Sequence, residues 1–276
     1  MVTANLAVRV ATAAVAVPVI LGLLYCAPPW CFYAMLVLPA VLVGSYELFA
    51  MTHPLDRVVR AVGVVVSGVA SLSFYLHPDD LNLVTTLLLG VPLLAPVVTL
   101  ARLGSIETAA FRVFALGYGP LFVGVPLTLL AVMQRAFGSA GPGAVVLALG
   151  LGWFGDTGAY FVGRSMGRRK LCEAVSPKKT VEGAVGGLIA SAAWGAVGSI
   201  GFLHGVLPMA HALPLAIAGG VLGQAGDLGE SLIKRSTGVK DSGVLVPGHG
   251  GMLDRVDSVI MTTVAVFLYA RWTGWR

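Results

Sequence analysis

Nine runs of about twenty apolar residues follow one another along this chain with only short connections between them. They cover approximately 5–26, 31–51, 58–76, 81–101, 109–134, 143–162, 183–203, 212–234 and 256–274. Each is long enough to cross a hydrocarbon core of about 30 Å as a helix. In lipid the backbone N–H and C=O groups must be satisfied inside the segment, so continuous apolar runs of this length fold as helices. The expected fold class is an all-α polytopic membrane protein with about nine transmembrane helices. Composition agrees, since 57% of residues are hydrophobic and 11% are charged, against roughly 25% charged in soluble domains. No soluble-looking block interrupts the series. One integral membrane domain is expected over 1–276, with an N-terminal helical part at 1–140 and a catalytic part at 141–276. Residues 4–25 resemble a signal peptide only loosely: CAPPW follows in place of a small-x-small cleavage site, so the segment reads as an uncleaved first helix.

Charge orients the bundle. With the N-terminus in the cytoplasm, Arg9, Arg57, Arg60, Arg102, Arg112, the six bases from Arg164 to Lys179, Lys234, Arg235, Lys240 and Arg255 fall inside. Only Arg135, Arg271 and Arg276 fall outside. Lys and Arg concentrate in cytoplasmic loops, so the two richest connections, 163–182 and 235–255, are expected to share the cytoplasmic face. No basic tail or stripe with interleaved aromatics is present, which argues against a nucleic-acid partner. Cys26, Cys31 and Cys172 have neither zinc spacing nor the pattern of a disulfide framework. Small residues at helix-packing spacing (Gly183, Gly187 and Ser191; Gly195, Gly198 and Gly201; Gly219, Gly223 and Gly226) point to close helix approach.

Against this background the stretch Gly226–Ser258 stands out, holding five of the thirteen acidic residues together with Lys234, Arg235, Lys240, His249 and Arg255. Charged side chains within membrane segments are costly and mark functional sites. At helical spacing Asp227, Glu230, Ser231 and Lys234 share one face. Two carboxylates supply hard oxygen ligands of the kind Mg²⁺ takes, and an ammonium neutralises phosphate. The plain alternative, a surface ion pair between Glu230 and Lys234, is worth about 0.3–0.5 kcal/mol and leaves Asp227 unexplained. Further on, Gly248, Gly250 and Gly251 permit a tight turn, and the next helix opens with Asp254 and Asp257 one turn apart. Its unpaired N–H groups suit an anion. If the eighth and ninth helices are neighbours, Asp227, Asp254 and Asp257 converge on one ion or an ion pair.

Two more features lie upstream. Asp156 sits in the apolar run GWFGDTGAY, and the loop after it carries Arg164, Arg168, Arg169, Lys170, Lys178 and Lys179. That loop reads either as topology or as a cradle for a lipid head group or a triphosphate. In the N-terminal part Asp56, Asp79, Asp80 and Glu107 fall at span ends. Glu47, deeper in the second span, reads as a structural or a substrate contact. Together the residues argue for metal-dependent phosphoryl or nucleotidyl transfer at the cytoplasmic face, at the ends of the C-terminal helices.

The string S-x-x-K-R-x(4)-K-D-x-G-x(3)-P-x-H-G-G-x-x-D-R-x-D, from Ser231 to Asp257, resembles the motif of phosphatidate cytidylyltransferases (CDP-diacylglycerol synthases) without a gap. DTGAYFVGRSMGRRKL and SPKKTVEGAVGG are also similar to segments of that family, although Val181 stands where the family usually has Trp. The resemblance implies Mg²⁺-dependent CMP transfer from CTP to phosphatidate, giving CDP-diacylglycerol and pyrophosphate. It also implies a second, monovalent cation such as K⁺, a homodimer, and a multi-pass place in a bacterial-type inner membrane. It makes Asp227 and Asp254 metal ligands, with Glu230, Asp257 and Asp156 as further candidates. Ser231, Lys234, Asp254 and Asp257 become the catalytic set. Lys178, Lys179, Arg235, Lys240, Asp241, His249, Gly250, Gly251 and Arg255 become substrate contacts, His249 as a general acid or a neutral positioning group.

Three rivals remain. A transporter or ion channel would explain intramembrane acids, but no internal two-fold repeat of hydropathy is evident and the polar residues crowd one side. A CTP-using enzyme for another lipid differs only in an apolar groove. A CDP-alcohol phosphotransferase lacks support because the D-G-x-x-A-R opening is absent.

Overall fold

The computed structural model describes residues 2–243 and 250–275. Among them are nine helices: α1 Val2–Tyr25, α2 Pro29–Thr52, α3 Arg57–Leu76, α4 Leu81–Ala101 and α5 Ala109–Ala136, then α6 Gly141–Met166, α7 Val181–Ile200, α8 Met209–Ser236 and α9 Leu253–Thr273. Their ends depart from the hydropathy limits by about one turn at most. Helices α2 to α7 are long and apolar enough to cross a membrane, and α1 offers a shorter apolar stretch, Thr12–Tyr25. Helices α8 and α9 have the length, 28 and 21 residues, but acids and bases dilute their apolar character. One element departs from the expected loop. Strand β1, Lys170–Cys172, pairs antiparallel with β2, Ser176–Thr180, between α6 and α7.

The chain divides into two compact units, Met1–Val132 with Asp241–Arg255, and Met133–Lys240 with Val256–Arg276. In the first, the acids at span ends have defined work. Asp56 caps α3, its Oδ1 accepting from the Val58 and Val59 amides at 3.0 and 3.1 Å, while Arg102 Nε donates to Oδ2 at 3.1 Å. Asp80 caps α4 through the Asn82 and Leu83 amides. Such caps stabilise a helix by about 1 kcal/mol each. Phe49 packs with Val59, Ala95 and Leu116 at the centre of this unit. The ring fits because Gly63 and Gly119 have no Cβ to meet it. Two π-turns, Tyr33–Val37 in α2 and Pro120–Gly124 in α5, interrupt the regular bonding. A chain of hydroxyls supports them: Tyr33 bonds Ser71, Ser71 bonds Thr128, and Thr128 Oγ1 donates to the Gly124 carbonyl at 2.6 Å.

His53 closes α2 and is buried. Thr52 Oγ1 donates its one hydrogen to the Leu48 carbonyl, so it accepts the His53 Nδ1–H at 2.9 Å. His53 Nε2 is then a bare lone pair, buried without a hydrogen-bond partner. Burial, reinforced by the Arg112 guanidinium and opposed by Asp56, pushes the imidazole down to about 4. The unfolded chain takes up this proton near pH 6.5 and the folded chain does not. Stability is therefore full above pH 6.5 and falls as the pH drops towards 4. With solvent screening the loss is about 1–2 kcal/mol. Thermal unfolding in detergent should show that slope in the parent chain and a flatter one in His53→Gln; equal slopes would clear His53.

In the second unit α6 and α7 pack closely, followed by α7 on α8. Ser191 Oγ donates to the Leu151 carbonyl at 3.0 Å, Gln224 Nε2 to the Ala184 carbonyl at 2.9 Å, and Thr262 Oγ1 to the Ala148 carbonyl at 2.8 Å. The small residues sit at these approaches: a Cβ on Gly187 would meet the Gly155 carbonyl oxygen at 2.8 Å, and one on Gly226 the Asp257 carbonyl oxygen at 2.5 Å. Polar bonds between helices and small side chains at the contact are how apolar helices associate in lipid.

Candidate active site

The second unit gathers most of the chemistry. The β1–β2 hairpin is tied down by Glu182, whose carboxylate accepts the Arg168 amide at 3.0 Å and the Arg169 amide at 3.2 Å. Thr180 caps α7, its Oγ1 accepting from the Gly183 amide at 3.1 Å. This anchoring aims Lys179 of β2 at α8, where Nζ meets Asp227 Oδ2 at 2.5 Å. Each side chain of the pair is about a quarter exposed. A cavity of about 560 Å³ opens here, lined by Asp156, Tyr160, Arg164, Lys178, Lys179 and Asp227 among others. Arg164 Nη1 donates to the Tyr160 hydroxyl at 2.9 Å. The lining therefore offers cations and carboxylates beside apolar wall from Ala159, Leu171 and Ala184.

Behind Asp227 lies Asp257 of α9, buried and within electrostatic reach of Asp227, Asp156 and Glu230. Its Oδ1 accepts the Ser258 amide at 2.6 Å, and Ser258 Oγ donates to Asp156 Oδ2 at 2.9 Å. Glu230 is fully buried and forms an ion pair with Lys234, itself nearly buried. The surface pair of the alternative reading is thus an interior pair, with a different energetic weight. Ser231 is also buried.

The first unit holds the turn before α9. Asp254 Oδ2 accepts from the Ser242 amide at 3.0 Å, the Ser242 hydroxyl at 2.8 Å and the Gly251 amide at 2.9 Å. Gly250 takes φ +87°, a left-handed conformation suited to glycine. Glu47 of α2 reaches the same turn, accepting from the Met252 and Leu253 amides, and its Oε2 lies 3.2 Å from the Ser242 oxygen, sharing that hydroxyl's one hydrogen with the nearer Asp254 Oδ2. Of the two readings of Glu47, the structural contact is the one observed. A buried acid in an apolar helix was the available signal; its partner, some two hundred residues away, was not.

The structure distributes the expected residues unevenly. Asp156, Lys178, Lys179 and Asp227 line one cavity, and Glu230, Lys234 and Asp257 are buried. Arg235, expected as a substrate contact, donates from Nε to the Val175 carbonyl at 3.3 Å and from Nη1 to the Val239 carbonyl at 3.2 Å, bracing the hairpin against the end of α8. Lys240, Asp241 and Arg255 are exposed. His249, with Gly248, lies outside the described residues. The Lys179–Asp227 pair joins residues forty-eight apart and has no sequence signal. Cys26, Cys31 and Cys172 are free thiols.

Among the described residues no group of three or more His, Cys, Asp or Glu side chains forms a ready metal cage. The donor set nevertheless suits one ion. Mg²⁺ is usually held by one or two carboxylates plus substrate phosphates and water, not by an all-protein cage. Asp227 and Asp257 are hard oxygen donors whose mutual repulsion such a cation relieves.

Comparison with known proteins closes the case for the family. The cytidylyltransferase family profile matches residues 7–273. The chain is 36% identical over 275 residues to the phosphatidate cytidylyltransferase of Pseudomonas aeruginosa, covering 97% of both chains. It is 45% identical to that of Bacillus subtilis over 117 residues, 42% of each chain. With that of Staphylococcus saprophyticus it shares 40% identity over 180 residues, covering 65% of this chain and 66% of the relative. The chain belongs to the cytidylyltransferase family and is an enzyme that transfers CMP from CTP.

Proposed function

We propose that the lipid acceptor is phosphatidate, so that the protein makes CDP-diacylglycerol and pyrophosphate for phospholipid biosynthesis. The observation that carries this reading is the cavity of the second unit. It sets Arg164, Lys178 and Lys179 beside apolar wall and next to a carboxylate cluster, which is the environment an amphiphilic phosphate and a metal-bound triphosphate both need. The phosphate oxygen of phosphatidate attacks the α-phosphorus of CTP, and the bond to the β-phosphate oxygen breaks to release pyrophosphate. The nucleophile is already an anion, so the barrier is chiefly repulsion between two phosphates, and cationic clamps lower it.

Lys179 sits on Asp227 and can exchange that carboxylate for a phosphate oxygen as substrate arrives. Arg164 and Lys178 hold the lipid phosphate at the cavity mouth. Asp227 would hold Mg²⁺, with Asp257, Asp156 and Glu230 supporting it; Asp254 is the further metal ligand of this reading, and Mg²⁺ would supply charge neutralisation of the polyphosphate. A monovalent cation such as K⁺, a homodimeric assembly, and an inner-membrane placement with the site facing the cytoplasm belong to the same reading. The bias of bases to one set of loops supports that orientation.

The test is a radiolabelled CTP assay on the purified protein, offering phosphatidate against other lipid phosphates, with and without Mg²⁺. CDP-diacylglycerol and pyrophosphate are expected only with phosphatidate and Mg²⁺. Preference for another lipid phosphate, or undiminished turnover after chelation, would overturn the reading.

A further inference from the structure

Helix α9 begins at Leu253, which makes Met252 its N-cap residue. A thioether accepts hydrogen bonds poorly, and helix starts without an Asp, Asn, Ser or Thr cap leave backbone donors unsatisfied. Here the acceptor comes from another helix. Glu47 of α2 takes the Met252 amide on Oε1 at 3.0 Å and the Leu253 amide on Oε2 at 2.8 Å. The Ser242 hydroxyl lies between the carboxylates, 3.2 Å from Glu47 Oε2 and 2.8 Å from Asp254 Oδ2, so its one hydrogen is shared between them. Ser242 thus links the two carboxylates. The contact is tight, because a Cβ on Gly251 would meet Glu47 Oε2 at 2.6 Å and the Gly243 amide nitrogen at 2.7 Å. Glu47 is only 4% exposed, and a buried acid in an apolar helix is retained for a purpose.

We propose that Glu47 is a positioning residue for CMP transfer: it caps α9 from α2 and, through Ser242, sets the direction in which Asp254 points. This rests on the reading of Asp254 as a metal ligand. A generic cap would be satisfied by the two amides alone. The third bond, shared through one hydroxyl with Asp254, connects Glu47 to the functional carboxylate. Displacing a reacting group by about 1 Å lowers a rate by up to about 10²-fold, which sets the scale of the expected effect.

The experiment uses the full-length protein in detergent as Glu47→Gln and Ser242→Ala. The amide of Gln keeps one acceptor oxygen and turns an NH₂ towards backbone donors. Ser242→Ala removes the link together with one of the three bonds that Asp254 Oδ2 accepts. Four quantities are read: kcat and KM with CTP and phosphatidate, Mn²⁺ affinity by electron paramagnetic resonance without substrates, hydrogen exchange of the peptide 250–255, and the melting temperature. Glu47→Gln should lower kcat about 10–100-fold with little change in KM for phosphatidate. It should also weaken Mn²⁺ binding and speed exchange in 250–255. Ser242→Ala should repeat the kcat and Mn²⁺ effects with a smaller exchange effect.

Wild-type kcat and Mn²⁺ affinity in a folded Glu47→Gln would overturn the proposal. So would a lower melting temperature with unchanged kcat per folded molecule, which is the signature of a structural cap alone. If Glu47→Gln does not fold, Glu47→Asp, which keeps the charge and shortens the reach, decides by the same readouts. Should the parent chain fail to use phosphatidate, the functional reading falls, while Mn²⁺ affinity and exchange still judge Glu47.

Discussion

Asp254→Asn is expected to lower CMP transfer by about 10²–10³-fold, the usual loss when a group stabilising transition-state charge is removed. The carboxamide retains one oxygen, which can still accept from Ser242 and Gly251 as Asp254 Oδ2 does. The turn before α9 should therefore survive, and the lost quantity should be the second anionic oxygen needed by a cation. The measurement is kcat against Mg²⁺ concentration, with melting temperature as the control for folding. Turnover near the parent value at saturating Mg²⁺ would remove Asp254 from the metal site. Asp241 is exposed on the same connection and, among the described residues, accepts no such bonds.

Lys234→Ala should damage both stability and turnover, and the structure explains why the two are coupled. Glu230 is fully buried and pairs with Lys234, whose side chain is 10% exposed. Removing one partner of a buried pair strands the other charge and costs about 3–5 kcal/mol. Sequence spacing alone suggests a surface pair worth far less. Replacing both partners by apolar or neutral groups of similar shape is often tolerated, so Glu230→Gln with Lys234→Met should recover most of the melting temperature. If Lys234 also serves the phosphates, the double variant will stay poorly active despite its restored fold. A double variant with parental turnover would make Lys234 a structural residue only.

These cases show where sequence reasoning reaches and where it stops. The helix series was legible because lipid imposes one solution on a long apolar run, and the nine helices fall within about a turn of the hydropathy limits. Asp227, Glu230 and Lys234 were legible as one face because helical spacing is local. The sequence did not show that this face is interior, since burial depends on which helix packs against it. The hairpin 170–180 read as a loop because its strands of three and five residues are too short for period-two patterning to emerge. The bonds from Arg235 to the Val175 and Val239 carbonyls were not legible either; a basic residue beside a site carries no mark of which acceptor it will meet.

The sequence by itself determined the membrane class, the helix order, the family motif from Ser231 to Asp257 and the uneven spread of bases among the loops. Each is set by composition or by spacing within one or two turns. Only the tertiary structure decided that Lys179 answers Asp227, that Ser258 joins Asp156 to α9, and that Glu47 caps a helix some two hundred residues away. Those pairings depend on how helices approach, and approach is governed by small-residue contacts and shared hydrogen bonds summed over whole faces. No local spacing encodes them.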